Sequence, residues 1–141
     1  MVLLNIMPIS TLSVFVYGTL QPRGYYWSQF CEGKVSEVIP AQIKGKLFDL
    51  GLGYPGARFD RNGWVKGYLL EFKHKKDFLR VDYLEGFEPD RLPELNEYNR
   101  LIVPIFDLDK NLLGSAWAYE ITPKYLEASE VAPVEAGMWP A

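Results

Sequence analysis

Residues 13–20 read Ser13-Val14-Phe15-Val16-Tyr17-Gly18-Thr19-Leu20. Val, Phe and Tyr fit a pleated, buried surface, so this run predicts a strand over 13–17 that stops at Gly18. A strand entering Gly-Thr turns sharply and aims successive backbone N–H groups at one spot. Such a nest accepts a carboxylate or a developing oxyanion. Gly18 also lets a ligand come close to the main chain. The same residues make an ordinary turn elsewhere, so the loop acquires meaning only from what faces it.

Outward from this strand, the chain alternates short extended runs with turns. Residues 21–34, with Pro22, Arg23-Gly24, Tyr25-Tyr26-Trp27, Phe30 and Cys31, predict a loop and a short helix. Residues 35–50 predict extended chain, with Pro40 at a bend or edge. Gly51 to Gly56 reads as a loop. Asp60-Arg61-Asn62-Gly63 predicts a tight hairpin turn whose second strand is Trp64 to Phe72, since Asn-Gly supplies positive φ angles.

Lys75 to Glu85 predicts the main helix. Phe78, Val81 and Leu84 recur at threes, Leu79 and Tyr83 stand beside them four apart, and Gly86 ends the run. Residues 87–97 are acidic and carry Pro89 and Pro93, which predicts an irregular loop. Tyr98 to Phe106 reads as extended, 107–113 as a turn, and Gly114 to Ile121 as the final strand. The tail, with Pro123, Pro133 and Pro140, is expected to wrap the surface. Many strands in a short chain predict an α+β fold: a small mixed β-barrel, closed or strongly curved, flanked by a few helices. Residues 1–12 are expected to be a lead-in and 13–141 a single domain.

At 141 residues and 48% apolar, the chain can build one core without staples. A net charge of −3 gives no electrostatic case for nucleic acid or an anionic membrane surface. The first twenty residues have no basic start, and polar residues interrupt their apolar run, so neither a signal nor a membrane span is expected and a cytoplasmic protein is the default. The single cysteine, Cys31, excludes an internal disulfide and reads as inert packing. Gly51-Leu52-Gly53-Tyr54-Pro55-Gly56 matches a dinucleotide fingerprint in letters only, because Pro55 stands where a helix must begin. Asp107-Leu108-Asp109-Lys110-Asn111 opens like a calcium loop but has Leu112 where glycine is needed and Ala118 where glutamate is needed. The one histidine, His74, sits among charges at a helix start. No metal or cofactor is expected, and acid/base chemistry must rest on carboxylates, tyrosines and backbone dipoles.

Glu85 is the carboxylate that draws attention. It closes an apolar helix beside its terminal glycine, where the negative end of the helix dipole disfavours a charged carboxylate. Apolar neighbours would desolvate it, and both effects raise its pKa toward the range of a proton shuttle. An exposed glutamate at a helix end is the plain alternative. Asp82, one turn earlier, either orients a neighbour or is solvated.

An ordered set of segments resembles the γ-glutamylcyclotransferase-like family. Val14 to Leu20 is similar to its opening strand and loop. Gly45 to Gly51 with Tyr54-Pro55-Gly56 is similar to its second block, and Val65-Lys66-Gly67 to its third. Val81-Asp82-Tyr83-Leu84-Glu85-Gly86 resembles the block with the catalytic glutamate. Tyr98-Asn99-Arg100, Ala116-Trp117-Ala118-Tyr119 and Ala136-Gly137-Met138-Trp139 resemble the later elements. The resemblance implies a barrel with a cavity in which loop and glutamate face each other. It implies a small-molecule γ-glutamyl substrate whose α-amino group attacks its own side-chain carbonyl, releasing 5-oxoproline and an amine without cofactor or metal. On that reading Glu85 shuttles the proton, the Tyr17-Gly18-Thr19-Leu20 loop cradles the substrate, and Tyr98 and Tyr119 border it and donate hydrogen bonds. The aromatic segment Tyr25-Tyr26-Trp27 departs from the family pattern and is expected to shape the place of the leaving amine. The alternatives are a barrel of the same fold that binds a metabolite or partner without turnover, and a different hydrolase or amide-transfer step in the same cavity.

Overall fold

The computed structural model describes residues 11–140. Of the expected lead-in, residues 1–10 lie outside the described residues. Leu12 already belongs to the fold, its carbonyl accepting the Phe72 N–H at 3.0 Å.

Five strands form a closed barrel in the order β1, β5, β2, β6, β7. They are β1 (Ser13–Val16), β2 (Val35–Lys44), β5 (Trp64–Phe72), β6 (Tyr98–Phe106) and β7 (Leu112–Ile121). Every pairing is antiparallel except the closing one, in which Val14 and Phe15 run parallel to Trp117 and Ala118. A second sheet packs β4 (Pro55–Arg58), β3 (Lys46–Asp49) and β8 (Ala132–Pro133) side by side. Among the described residues the α-helices are α1 (Trp27–Phe30) and α2 (Lys75–Leu84), with short 3-10 turns at Pro93–Leu95 and Pro123–Leu126. Among the described residues no helix is long and apolar enough to cross a membrane.

The period-two pattern of the strands sorts the apolar residues into two cores. Phe15, Ile43, Val65, Leu69, Val103, Ile105 and Ala118 fill the barrel interior. Val14, Val16, Leu70, Phe72, Phe78, Val81 and Ile121 form a second core outside it, under the helices. Strand β1 is buried on both faces because it is the wall between them, which is why it reads as a continuous apolar run. Cys31 is fully buried in the outer core. Burial pushes its thiol up to about 12, so it stays an unreactive thiol.

Several expectations are corrected or refined. Residues 35–50 are two strands in different sheets, because the chain crosses at Gly45, where a Cβ would stand 2.7 Å from the Arg58 carbonyl oxygen. Asn62-Gly63 does not close a hairpin: β4 pairs with β3, whereas β5 pairs with β1 and β2, so this turn carries the chain from one sheet to the other. Strand β4 begins at Pro55, inside the expected loop, and the tail supplies β8 against Phe48 and Asp49 rather than only covering the surface. Leu79 and Tyr83 are 42% and 89% exposed, since α2 covers the barrel only through the stripe of Phe78 and Val81.

Candidate active site

Helix α2 ends one residue earlier than expected, and Glu85 is its cap. Gly86 takes the left-handed conformation (φ +66°), its N–H donates to the Tyr83 carbonyl, and the Phe87 N–H reaches back to the Asp82 carbonyl. This paired closure needs a residue that tolerates positive φ, and it points the Glu85 side chain off the helix end.

What the helix end faces is the β1 loop. Tyr17, Gly18, Thr19 and Leu20 line a cavity of about 200 Å3 together with Glu85, Glu97, Tyr98 and Tyr119. The expected catalytic residue and all six expected substrate contacts therefore lie around one space. The loop is held from several sides. Its Thr19 carbonyl accepts the Tyr26 N–H at 2.9 Å, and the Gln21 amide nitrogen stands 3.0–3.2 Å from the carbonyls of Tyr17, Gly18 and Trp139. Gly24 is required here, since a Cβ would stand 2.5 Å from the Thr19 carbonyl oxygen. Among the described residues no protein acceptor takes the N–H groups of Thr19 and Leu20. Two unclaimed donors at a strand end are what an anion-binding nest needs.

The tyrosines are more constrained than the sequence shows. The Tyr17 hydroxyl donates to the Tyr119 carbonyl at 2.6 Å and accepts the Ala57 N–H at 3.1 Å. The Tyr98 hydroxyl donates to the Pro55 carbonyl at 2.6 Å, and the Tyr119 hydroxyl donates to Asp82 Oδ1 at 2.5 Å. Each phenol proton is thus committed to the fold. Toward a ligand these rings offer walls and acceptor lone pairs. Burial, aided by nearby carboxylates, raises the pKa of all three.

Asp82 is not solvated. It is buried, takes the Tyr119 hydroxyl, and pairs with Arg100 Nη1 at 2.9 and 3.2 Å. Desolvation still leaves its pKa raised, against the lowering pull of Tyr119 and Arg100. Two site residues were missed in the sequence. Glu97 and Tyr54 line the cavity, and the Tyr54 hydroxyl donates to Glu97 Oε2 at 2.5 Å. A glutamate in an acidic, proline-broken stretch carries no signal of its own.

Glu85 is half-buried, and its carboxyl is pushed up to about 8, first by desolvation and then by the charges of Glu97 and Asp82. A prediction follows from linkage. The neutral carboxyl stabilises the fold fully below the ordinary value of 4.5, and that contribution is lost as pH rises through about 8. Glutamine is neutral throughout, so Glu85→Gln melts with wild type near pH 4 and above it near pH 8, by on the order of 5 °C. Thermal melts across that range check it, and parallel curves would remove the raised pKa.

A more open cleft of about 860 Å3 lies across the same loop, sharing Gly18 and Thr19 with the cavity. Arg23, Tyr25, Lys66, Tyr68 and Trp139 line it. The aromatic segment is therefore divided: Tyr26 faces the cavity and Tyr25 the cleft, while Trp27 lines neither.

Against known proteins, a family model described as gamma-glutamyl cyclotransferase, AIG2-like, matches residues 14–141. No curated protein matches the sequence. Among solved structures, YkqA from Bacillus subtilis is similar at a TM-score of 0.63 and 20% identity over 92% of this chain, which spans 40% of YkqA. An Arabidopsis thaliana protein solved in solution is similar at 0.59 and 26% identity, over 79% of this chain and 69% of its own. An aig2-like protein from Mus musculus is similar at 0.58 and 19% identity, over 82% of each chain. The likenesses at 19% and 20% identity concern the fold alone.

Proposed function

Because the chain belongs to the gamma-glutamyl cyclotransferase, AIG2-like family, we propose that it converts a γ-glutamyl amine or amide into 5-oxoproline and the free amine, with Glu85 as proton shuttle. The observation that carries this reading is the placement of the Glu85 carboxyl and a loop with unclaimed N–H groups around one cavity, where burial raises the carboxyl toward the range of a proton shuttle. The substrate's α-amino group, with a free carboxylate beside it, holds its proton somewhat more tightly than a chain terminus, which titrates near 7.7–8.0. A raised Glu85 carboxyl lies closer to such an amine than an ordinary glutamate does, which suits general acid–base catalysis.

The substrate's α-amino nitrogen attacks its own γ-carbonyl carbon. A carbon–nitrogen bond forms and closes the five-membered lactam. Glu85 takes the proton that leaves this nitrogen. The N–H groups of Thr19 and Leu20 hold the carbonyl oxygen as it gains charge. The bond to the departing amine breaks, and Glu85 returns the proton to that nitrogen. Protons and atoms balance with no water consumed. The reaction is intramolecular, so the walls formed by Tyr17, Tyr26, Tyr98 and Tyr119 contribute by folding the substrate into its attack shape. The leaving amine extends past Thr19 toward the open cleft.

The test is the pH dependence of 5-oxoproline formation. On the acid side kcat/KM is expected to fall below about 8, because protonated Glu85 in the free protein cannot accept the α-amino proton. A limb near 4.5, the ordinary glutamate value, would remove the shuttle role. Glutamate as product in place of 5-oxoproline would select hydrolysis instead.

A further inference from the structure

We propose that Glu97 is a second functional carboxylate of the cavity, held by Tyr54 so that it receives the α-ammonium group of the γ-glutamyl substrate while Glu85 moves the proton. The inference rests on the cyclotransferase reading and extends it to a residue that the sequence did not single out.

Three observations support it. Glu97 and Glu85 line the same cavity, and Glu97 is the charged group with the largest effect on Glu85. An ammonium group bound in this cavity has both carboxylates along its walls. The pair is also rigidly connected: the Glu97 N–H donates to the Gly86 carbonyl at 3.2 Å, and the Glu97 carbonyl accepts the Thr122 N–H at 2.9 Å. The end of α2 and the start of β6 are thereby fastened together on either side of the cavity.

Finally, among the described residues the cavity lining holds these two carboxylates and no lysine, arginine or histidine. The ion pairs among the described residues engage neither Glu85 nor Glu97. Asp82, the other acid near Glu85, has its counter-charge in Arg100. Two carboxylates facing one half-buried space without a cation favour a ligand that brings one. The zwitterionic glutamyl head does so.

Tyr54 is suited to the fixing role. Its hydroxyl proton is committed to Glu97 Oε2, which leaves Oε1 for the ligand. Its own pKa is raised, by burial first and then by its bond to Glu97, so it stays a donor at any working pH.

The experiment measures equilibrium binding, so it does not depend on turnover. L-Glutamate and glutarate share two carboxylates and differ in the ammonium group. Both are titrated by calorimetry into the purified full-length chain, into Glu97→Gln and into Glu97→Asp, with melts confirming that each variant is folded. Wild type is expected to prefer glutamate. Glu97→Gln is expected to weaken glutamate roughly 10- to 100-fold and leave glutarate unchanged, as for the loss of one charge-assisted bond. Glu97→Asp retains part of the preference. In the same samples, carboxyl-carbon NMR is expected to show Glu85 titrating lower in Glu97→Gln. A wild type without preference for glutamate, or a Glu97→Gln protein that keeps it, overturns the proposal. A wild-type preference for glutamate that Glu97→Gln abolishes, with no 5-oxoproline formed from any γ-glutamyl substrate, would sink the cyclotransferase reading alone.

Discussion

Glu85→Gln is expected to fold normally and to lose 5-oxoproline formation by roughly 10²- to 10⁴-fold, the range for removing a positioned acid/base group. Glutamine keeps the size and polarity of the side chain, and its neutrality suits a position where the carboxyl is already pushed toward its neutral form. The loss should therefore fall on kcat, with substrate binding nearly intact. The residual rate reflects what the loop and the tyrosine walls contribute through orientation. Steady-state kinetics on one responsive substrate, with a melt of each protein, checks both halves. Near wild-type turnover in the glutamine variant would move the proton transfer elsewhere.

Arg100→Met is expected to lower stability by about 3 kcal/mol, the lower end of the range for stripping one partner from a buried ion pair. Asp82 and Arg100 retain only 12% and 16% of their side-chain exposure, so solvent screens the pair weakly. The guanidinium also stands over the rings of Phe78, Phe87 and Trp117, at 5.2, 5.4 and 4.6 Å. Methionine refills part of that volume but leaves the Asp82 carboxylate without its cation. The melting temperature should fall on the order of 10 °C. Adding Asp82→Asn to Arg100→Met should restore part of the loss, because the cost lies in the unpaired charge rather than in the missing contact. Melts of both single variants and the double variant decide this. Equal losses that simply add would mean that the two side chains act independently. The pair fastens α2 to β6 one turn before Glu85, so it is a positioning element of the site.

The parts of this architecture that were legible in the sequence are those encoded by neighbouring residues. Strand β1 is announced by its β-branched and aromatic run, α2 by its threefold spacing, and its end by Gly86. The position of Glu85 follows from these, and so does its desolvation, whereas the charge of Glu97 that adds to it does not. The parts not legible are made by residues distant along the chain. Asn62-Gly63 has the chemistry of a hairpin turn, but β5 finds its partners in β1 and β2, so local turn preference is overruled by barrel closure. Asp82 has no local sign of burial, since its partners Arg100 and Tyr119 arrive from β6 and β7. Glu97 becomes a cavity residue only because its backbone is tied to Gly86. The tyrosine hydroxyls show the same limit: their identity marks the cavity wall, but only the fold reveals that their protons are already committed.

The most direct test of the central claim is 5-oxoproline release, measured by mass spectrometry. The purified chain is incubated with a panel of γ-glutamyl amines and peptides, with Glu85→Gln run beside it. The account predicts 5-oxoproline and free amine in equal amounts from at least one substrate, falling by orders of magnitude in the variant. No 5-oxoproline across the panel, or equal amounts from both proteins, would contradict it.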